Sequence, residues 1–225
     1  MTSVWTRQPR KGKEPQLSRE QIVAEAIRLL DEDGIDSLSM RNLGTRLNAA
    51  ATSLYRHVAN KDELIELVAD EIYAEIRVPG GEWRESVAET ARSVREMILR
   101  HPWIASMFGQ IGLSYLGPNF TEMTERMLGV LEDAGFSLTE ADMAISTVIG
   151  FVIGIASSEA AWNTALARSG KTEEQWLAEL HPAAAQAVSG HPRLQRLLEN
   201  TEPRDKFTYG LERVLDGVEA RLGQP

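Results

Sequence analysis

The segment LSMRNLGTRLNAAATSLYRHVANKDELI, residues 38–65, contains two short helical patterns separated by a single turn. Ser39 is a suitable N-cap, and leucines recur four positions apart after it, which predicts a first helix of about two turns. Asn48 follows, a residue type that tolerates left-handed backbone and therefore marks a turn. The run AAATSLYRHV, residues 49–58, then predicts a second short helix that is stable only when packed against its neighbours.

Longer helices flank this segment on both sides. Ser18 and Gln21 have the spacing of a capping box, and the helix that they start should end at Gly34. Downstream, Asn60 is placed to cap a helix whose apolar residues recur every four positions, and we expect that helix to cover residues 61–77. The sequence thus predicts three helices before Asn60 and a longer fourth helix after it.

This arrangement has the layout of a helix-turn-helix: a support helix, a positioning helix, a tight turn and a short helix exposed on one side. If Leu54 and Val58 face inward, the outward side chains can all hydrogen-bond to phosphates or base edges. The small residues 49–51 would let the backbone approach DNA closely. The outward side chains are those of Thr52, Ser53, Arg56 and, in part, Tyr55 and His57.

The distribution of charge agrees with a DNA-binding end. The chain of 225 residues has a formal net charge of −9. Residues 1–61 nevertheless hold ten Lys and Arg against seven Asp and Glu, a net charge of +3, while the remainder carries −12. A basic head on an acidic body lets one end approach a polyanion while the rest is repelled.

The motif in residues 38–65 resembles the DNA-binding domain of the TetR (tetracycline repressor) family of bacterial transcription regulators. The residues that carry the resemblance are Leu38, Arg41, Leu54, Tyr55, His57, Val58, Asn60, Lys61 and Leu64. The sequence departs from the family pattern at Asn48, where glycine is common, and at Ala51, which has no polar group with which to read a base.

The resemblance implies roles for single residues. It implies that Arg41 and Lys61 hold phosphates or flanking bases, and that Thr52 and Ser53 face bases. The candidate DNA-binding set is Arg41, Ala51, Thr52, Ser53, Tyr55, Arg56, His57 and Lys61, with Tyr55 and His57 on the DNA backbone. A solvated, slightly basic helix of a structural bundle is the alternative for the same stretch, and the basic tail is either a groove-binding arm or a solubilising extension.

Beyond Gly81 the helical pattern continues, and no alternating strand pattern occurs between turn signals. We expect helices over residues 82–100, 102–108, 118–134, 139–167, 172–188 and 203–221, with a break near Pro182 and Pro192. The predicted fold is all-α. It consists of a basic flexible tail (1–17), an N-terminal three-helix helix-turn-helix DNA-binding domain (18–62) and a C-terminal helical ligand-binding and dimerisation domain (63–225).

The body is larger than DNA reading requires, which favours dimerisation as one of its tasks. The run ADMAISTVIGFVIGIASSEAAW, residues 141–162, has sixteen uncharged residues between its acidic ones, too few for a membrane span, so we expect no membrane partner. Its small residues would allow close helix approach, although a buried core helix of a monomer is the alternative. The predicted dimer interface comprises Gly150, Gly154, Phe207, Leu211, Val214, Leu215 and Val218.

Sensing is the second expected task, because adaptable apolar side chains are dense in the body. The candidate ligand pocket comprises His101, Trp103, Met107, Phe108, Phe120, Met123, Met127, Thr147, Phe151, Ile155 and Trp162. Further polar groups that could orient a ligand are Gln110, Asn119 and Asn163. An ordinary hydrophobic core would use the same side chains. The segments HPWIASMFGQ and GPNFTEMTERMLGVLEDAGFS loosely resemble the C-terminal domain of the tetracycline repressor.

Other function classes have little support in the sequence. Absence of cysteine excludes disulfides, thiolate metal sites and thiolate nucleophiles, and it fits a cytoplasmic location, as does an N-terminus without a signal peptide. The four histidines lack metal-binding spacing, and no phosphate loop or nucleophile elbow is present, so we expect neither an enzyme, a cofactor nor a metal. The sequence therefore predicts a ligand-responsive homodimeric repressor of a palindromic operator. The alternative is an architectural or interaction protein that binds DNA without a small-molecule ligand.

Overall fold

The computed structural model describes residues 17–107, 117–200 and 205–222. Within these ranges the chain forms ten α-helices and two short 3₁₀ helices, with no strand. The predicted all-α class is therefore confirmed. The basic tail up to residue 16, together with Phe108 and Gln110, lies outside the described residues.

The first three helices of the head are α1 (Arg19–Asp33), α2 (Met40–Arg46) and α3 (Ala51–Leu54). The predicted caps are present. Ser18 and Gln21 form both hydrogen bonds of a capping box, Gly34 ends α1 at φ 78°, and the Ser39 hydroxyl accepts from the backbone N–H of residue 42. Asn48 adopts φ 49° at the turn between α2 and α3, as its residue type predicts.

Helix α3 is shorter than the sequence pattern predicts. After Leu54 the chain tightens, because the N–H groups of Arg56 and His57 bond to carbonyls three residues earlier, at 3.3 and 2.9 Å. This turn allows Val58 to be fully buried beside the equally buried Leu54. The predicted helix over residues 49–58 is thus wrong at both ends, and only its centre is α-helical.

The linking helix α4 (Lys61–Tyr73) also ends before the predicted residue 77. The N–H of Ile76 bonds to the carbonyl of Tyr73 at 3.1 Å, in a tightened final turn. The next N–H, that of Arg77, donates to the hydroxyl of Ser93 in the following helix at 3.0 Å. A side-chain acceptor on another helix thereby replaces the intrahelical carbonyl, and the helix ends.

The body consists of α5 (Trp83–Arg100), the 3₁₀ turn Pro102–Ser106, α6 (Pro118–Asp133), α7 (Leu138–Ser169), α8 (Glu173–Ala187), α9 (Pro192–Glu199) and α10 (Lys206–Glu219). Helix α8 agrees with the predicted helix over residues 172–188, and the expected break lies before Pro192 and not at Pro182. Helix α8 continues through this proline, because a capping box at Thr172 starts it and alanines, the strongest helix formers, follow the proline. The short helix α9, which begins at Pro192, has no counterpart among the predicted helices.

Helix α7 is the centre of the body and packs against α5, α6 and α10. It contributes a single buried stripe made of Ala141, Ala144, Val148, Val152, Ala156 and Ala160. By length and composition α7 would suffice to cross a membrane, and only 28% of its most apolar window is buried inside the protein. Much of this apolar helix is therefore left uncovered by the described part of the chain.

Candidate DNA-binding surface and ligand cavity

The predicted DNA-binding side chains are accessible around the buried Leu54 and Val58. Arg41, Thr52, Tyr55, Arg56 and Lys61 are exposed, whereas Ala51, Ser53 and His57 are half-buried. Tyr55 exposes 49% of its surface, which is unusual for a large aromatic residue and leaves its ring free for contact. The motif thus presents hydroxyls, an imidazole and cations to the outside.

The cations of the head fall into two groups. Arg46 pairs with Glu25 at 2.6 Å and with Glu32 at 2.7 Å, and Arg28 also pairs with Glu25. The Arg46 pairs fasten α2 to α1. By contrast, Arg41, Arg56 and Lys61 form no ion pair with any described residue. Their charge remains available to an anion from outside.

Close packing fixes the turn that places α3. A Cβ at Gly44 would lie 2.8 Å from the carbonyl oxygen of Ala49, so only glycine fits between α2 and the turn. Ala51 packs beside the same glycine, which explains why it is half-buried. The N-terminus of α4 is equally fixed: Asn60 accepts from the N–H of Glu63, and Glu63 accepts from the N–H of residue 59. Lys61 is thereby held on a rigid element.

A cavity of about 200 Å³ lies between α4, α5, α6 and α7. Phe120 and Met123, both predicted as pocket residues, line it. Tyr73, the last residue of α4, also lines it, and its ring meets that of Phe120 edge to face at 5.2 Å. Burial, with the nearby charge of Asp70, raises the pKa of Tyr73 to about 12, so its phenol is neutral. The remaining walls are mainly apolar and come from Val94, Met97, Thr124, Asp142, Ile145, Ser146, Ile149 and Ile153.

The other predicted pocket residues lie elsewhere. Thr147 lines a groove of about 450 Å³ between α7 and α10, and Ile155 with Trp162 lines a cleft of about 1070 Å³ beside the start of α10. Met107 and Met127 are buried in the core. Phe151 packs on Phe207 and occupies the space where a Cβ at Gly210 would lie, 2.5 Å from the ring. The structure therefore distributes these residues over several sites.

His101 and Trp103 face the head instead of the cavity. The Nδ1 atom of His101 lies 2.7 Å from Oδ1 of Asp31 on α1, and its Nε2 atom lies 3.1 Å from Oε1 of Glu75. The indole of Trp103 donates to the same oxygen of Asp31 at 2.7 Å. Sequence reasoning missed both carboxylates, because nothing local marks an acid as the partner of a distant histidine.

Asn119, expected to orient a ligand, is used to join two helices. Its side-chain amide donates to the buried carboxylate of Asp70 at 3.0 Å, and the backbone N–H of Phe120 donates to the same carboxylate at 3.0 Å. A Cβ at Gly117 would lie 2.1 Å from this carboxylate, so glycine leaves room for it. Asp70 of α4 therefore caps the N-terminus of α6, a role that the sequence alone does not reveal.

The predicted dimer residues differ in how far they are exposed. Gly150 and Gly154 are exposed on α7, with open space where a side chain would be. Val214 is half-buried on α10. The other four pack inside the folded chain, where α10 meets α5 and α7: Phe207, Leu211, Leu215 and Val218.

Comparison with known families accounts for nearly all of the described chain. Residues 22–68 match the family described as "Bacterial regulatory proteins, tetR family". Residues 77–222 match "Tetracyclin repressor-like, C-terminal domain". Residues 69–76, at the end of α4 and just after it, lie between the two matches.

Individual proteins show the same similarity. The chain is 32% identical over 228 residues to the HTH-type transcriptional repressor DrrR1 of Streptomyces coeruleorubidus, covering 97% of this chain and 83% of that one. ActR of Streptomyces coelicolor, solved in complex with actinorhodin, superposes with a TM-score of 0.75 at 32% identity, covering 93% and 100% of the two chains. BioQ, solved with its double-stranded DNA operator, gives a TM-score of 0.65 at 28% identity, with coverage of 91% and 99%.

Proposed function

Because this chain belongs to the TetR family of bacterial transcriptional regulators, we propose that it is a repressor that binds a palindromic DNA operator as a homodimer. A small apolar or aromatic effector releases it. The observation that carries this proposal is the exposed hydrogen-bonding surface around α3, with three cations that no described residue neutralises. Residues 18–62 form the DNA-binding domain and residues 63–225 the domain for ligand binding and dimerisation.

Each exposed side chain of the head contacts a particular part of the DNA. Arg41 and Lys61 bind phosphates, because their charges are free and lie on rigid helices. Thr52 and Ser53 face base edges in the major groove, where hydroxyls both donate and accept. Arg56 supplies a further charged donor, and Tyr55 and His57 contact the DNA backbone. BioQ, a similar protein solved with its double-stranded DNA operator, supports DNA as the partner of this head.

A second copy of the chain covers the exposed apolar side of α7. Gly150 and Gly154 offer open space for another helix, and Met143, 48% exposed, extends the apolar surface beside them. One short α3 reads only a half-site, so that two heads related by a twofold axis are needed to read a palindrome. The exposed apolar side of α7 would thus provide the dimer contact that two heads need to read a palindrome.

We place the protein in the cytoplasm, with protein rather than lipid against α7. Asp142 and Glu159 interrupt the helix after sixteen uncharged residues, whereas a span needs about 20. Glu159 is also ion-paired with Arg95 of α5, which ties that end of α7 into the folded body.

The effector binds in the cavity between α4 and α7. Its volume of about 200 Å³ is below the ~300–1,000 Å³ that is usual for ligand sites, so that a larger effector has to displace side chains. The apolar lining suits an apolar or aromatic ligand, oriented by the few polar groups at the wall. ActR in complex with actinorhodin supports a small-molecule effector for this chain.

Release from DNA follows from the position of Tyr73. It ends α4, contacts Phe120 and lines the cavity, whereas Lys61 begins the same helix at the DNA surface. An effector that moves either ring therefore shifts α4 and changes the separation of the two heads. The effector must bind the two head separations with different affinity for this shift to occur.

The test is selection of the purified protein against a random duplex pool at near-physiological salt, followed by sequencing of the bound fraction. We expect a palindromic motif whose half-site spacing gives the geometry of the dimer. Folded, dimeric protein that enriches no motif and loses all binding to excess unrelated DNA would contradict the proposal. That result would favour the architectural role instead.

A further inference from the structure

We propose that protonated His101 is a positioning residue that fastens the DNA-binding head to the body, so that the position of the head depends on one proton. The contact joins three separate parts of the chain. Asp31 lies in the last turn of α1, Glu75 follows α4, and His101 follows α5. The histidine side chain is only 4% exposed, so that water hardly competes for its two nitrogens.

The chemistry of the contact requires the proton. A neutral imidazole has one N–H donor and one acceptor nitrogen, whereas carboxylates only accept. Nδ1 and Nε2 of His101 both face carboxylate oxygens, at 2.7 and 3.1 Å. Both hydrogen bonds form at once only in the imidazolium. Loss of the proton turns one of them into a contact between a lone pair and a carboxylate oxygen.

The charges around His101 favour this form. Asp31 faces it from α1 and Glu75 from the segment after α4, while Arg100 at the end of α5 pairs with Glu75 and offsets part of its charge. The 3₁₀ turn supplies Trp103, which carries no charge and holds Asp31 in place. Burial opposes the charged form of His101, but the hydrogen bonds and charges of Asp31 and Glu75 outweigh burial and raise its pKa above 6.5.

The contact lies between the cavity and the head. The N–H of His101 donates to the carbonyl of Met97 at 2.9 Å, and the side chain of Met97 lines the cavity. The head is thus attached through α4 and, at Asp31, through hydrogen bonds from His101 and Trp103. Loss of the His101 proton weakens the attachment at Asp31, which keeps Trp103 as a partner, and loosens the head about the chain after Tyr73. The effect of this contact on DNA binding rests on the proposed function, whereas the contact between head and body does not.

The direct test uses the full-length protein and two measurements across about pH 5.5 to 9. The ring-proton NMR signal of His101, assigned from its loss in His101→Gln, should titrate above pH 6.5, and Asp31→Asn should lower its midpoint. Hydrogen exchange in the second half of α1, corrected for intrinsic rates, should accelerate as pH passes that midpoint. In His101→Gln it should be fast throughout, whereas the exposed control His181→Gln should follow the wild-type profile.

Operator binding gives the third measurement. We expect the affinity of the wild type for the selected operator to fall by about tenfold more than that of His101→Gln over the same pH rise. The two proteins share every titratable group except His101, so that the difference between them isolates His101. A midpoint at or below 6.5, or α1 exchange with the same pH profile in both proteins, would overturn the proposal. If His101→Gln does not fold, the His101 signal is assigned from its shift in Asp31→Asn and Glu75→Gln, and these two variants replace His101→Gln in the exchange and operator measurements. An absent operator motif would contradict only the proposed function.

Discussion

The carboxylate of Asp70 lies 3.0 Å from the backbone nitrogen of Phe120, so that a buried acid on the helix leading from the head caps the first turn of a body helix. This contact fixes α4 next to the ring that borders the cavity. A side chain from another helix is an uncommon source of an N-cap. It couples the orientation of α4 directly to α6.

Asp70→Ala should therefore destabilise the protein by about 2–3 kcal/mol, because it leaves the N–H groups of residues 119 and 120 without their charged acceptor. Urea unfolding measures the change, at equal m-values. The exposed neighbour Glu71→Ala is the control and should stay within about 0.5 kcal/mol of the wild type. Equal stability of the two variants would mean that water replaces the cap.

Arg41→Gln and Lys61→Gln should each weaken operator binding and reduce its dependence on salt. Each lost phosphate contact lowers the slope of log K against log salt by about 0.9, hence by about two for a dimer. Fluorescence anisotropy across a salt series measures the slope. Arg28→Gln is the control, because Arg28 is already paired with Glu25. An unchanged slope in either test variant would remove that residue from the phosphate contacts.

Ile149→Trp should fill the cavity and mimic an effector. Benzene, as a probe, should raise the Tm of the wild type but not that of this variant. The added ring should also press on Phe120 and Tyr73 and weaken operator binding several-fold. Ile155→Trp lies on the same helix but lines the wide cleft, so that it should keep both the response to benzene and DNA binding. Loss of the benzene response in both variants would locate the probe elsewhere.

Gly154→Arg should convert the proposed dimer into monomers without unfolding the chain. Apart from the backbone of α7 itself, no atom of the described residues lies within 4 Å of a Cβ at this position, so that the cost falls on the partner. Light scattering after gel filtration measures the mass, and circular dichroism checks the fold. Gly154→Ala keeps a small side chain and should remain dimeric. A dimeric arginine variant would move the interface away from this part of α7.

Local signals in the sequence predicted the head well. Ser18, Ser39, Asn48 and Asn60 each act within a few residues, and all four adopt the predicted caps or turn. The end of α4 was predicted less well, because it depends on Ser93, a partner outside the local pattern. Periodicity alone could not show that the helix stops while its apolar pattern continues.

The ligand cavity in the body was harder to predict, because a hydrophobic core and a cavity lining use the same apolar side chains in the same sequence pattern. His101 illustrates the difficulty: its partners Asp31 and Glu75 are far away in the chain, and only the fold brings them to its ring. Phe120 and Met123 were predicted and do line the cavity, whereas Tyr73 was missed although it ends the helix that leads to the head.

The contact between Phe151 and Gly210 has a consequence for sequence variation. The phenyl ring occupies the space in which any other residue at 210 would place its first side-chain carbon. Substitution at 210 therefore requires the ring of Phe151 to move or position 151 to become smaller, so that we expect the two positions to vary together. Random mutagenesis that starts from a defective Gly210→Ala protein should recover suppressors at position 151, and homologues that lack this glycine should lack the aromatic ring as well.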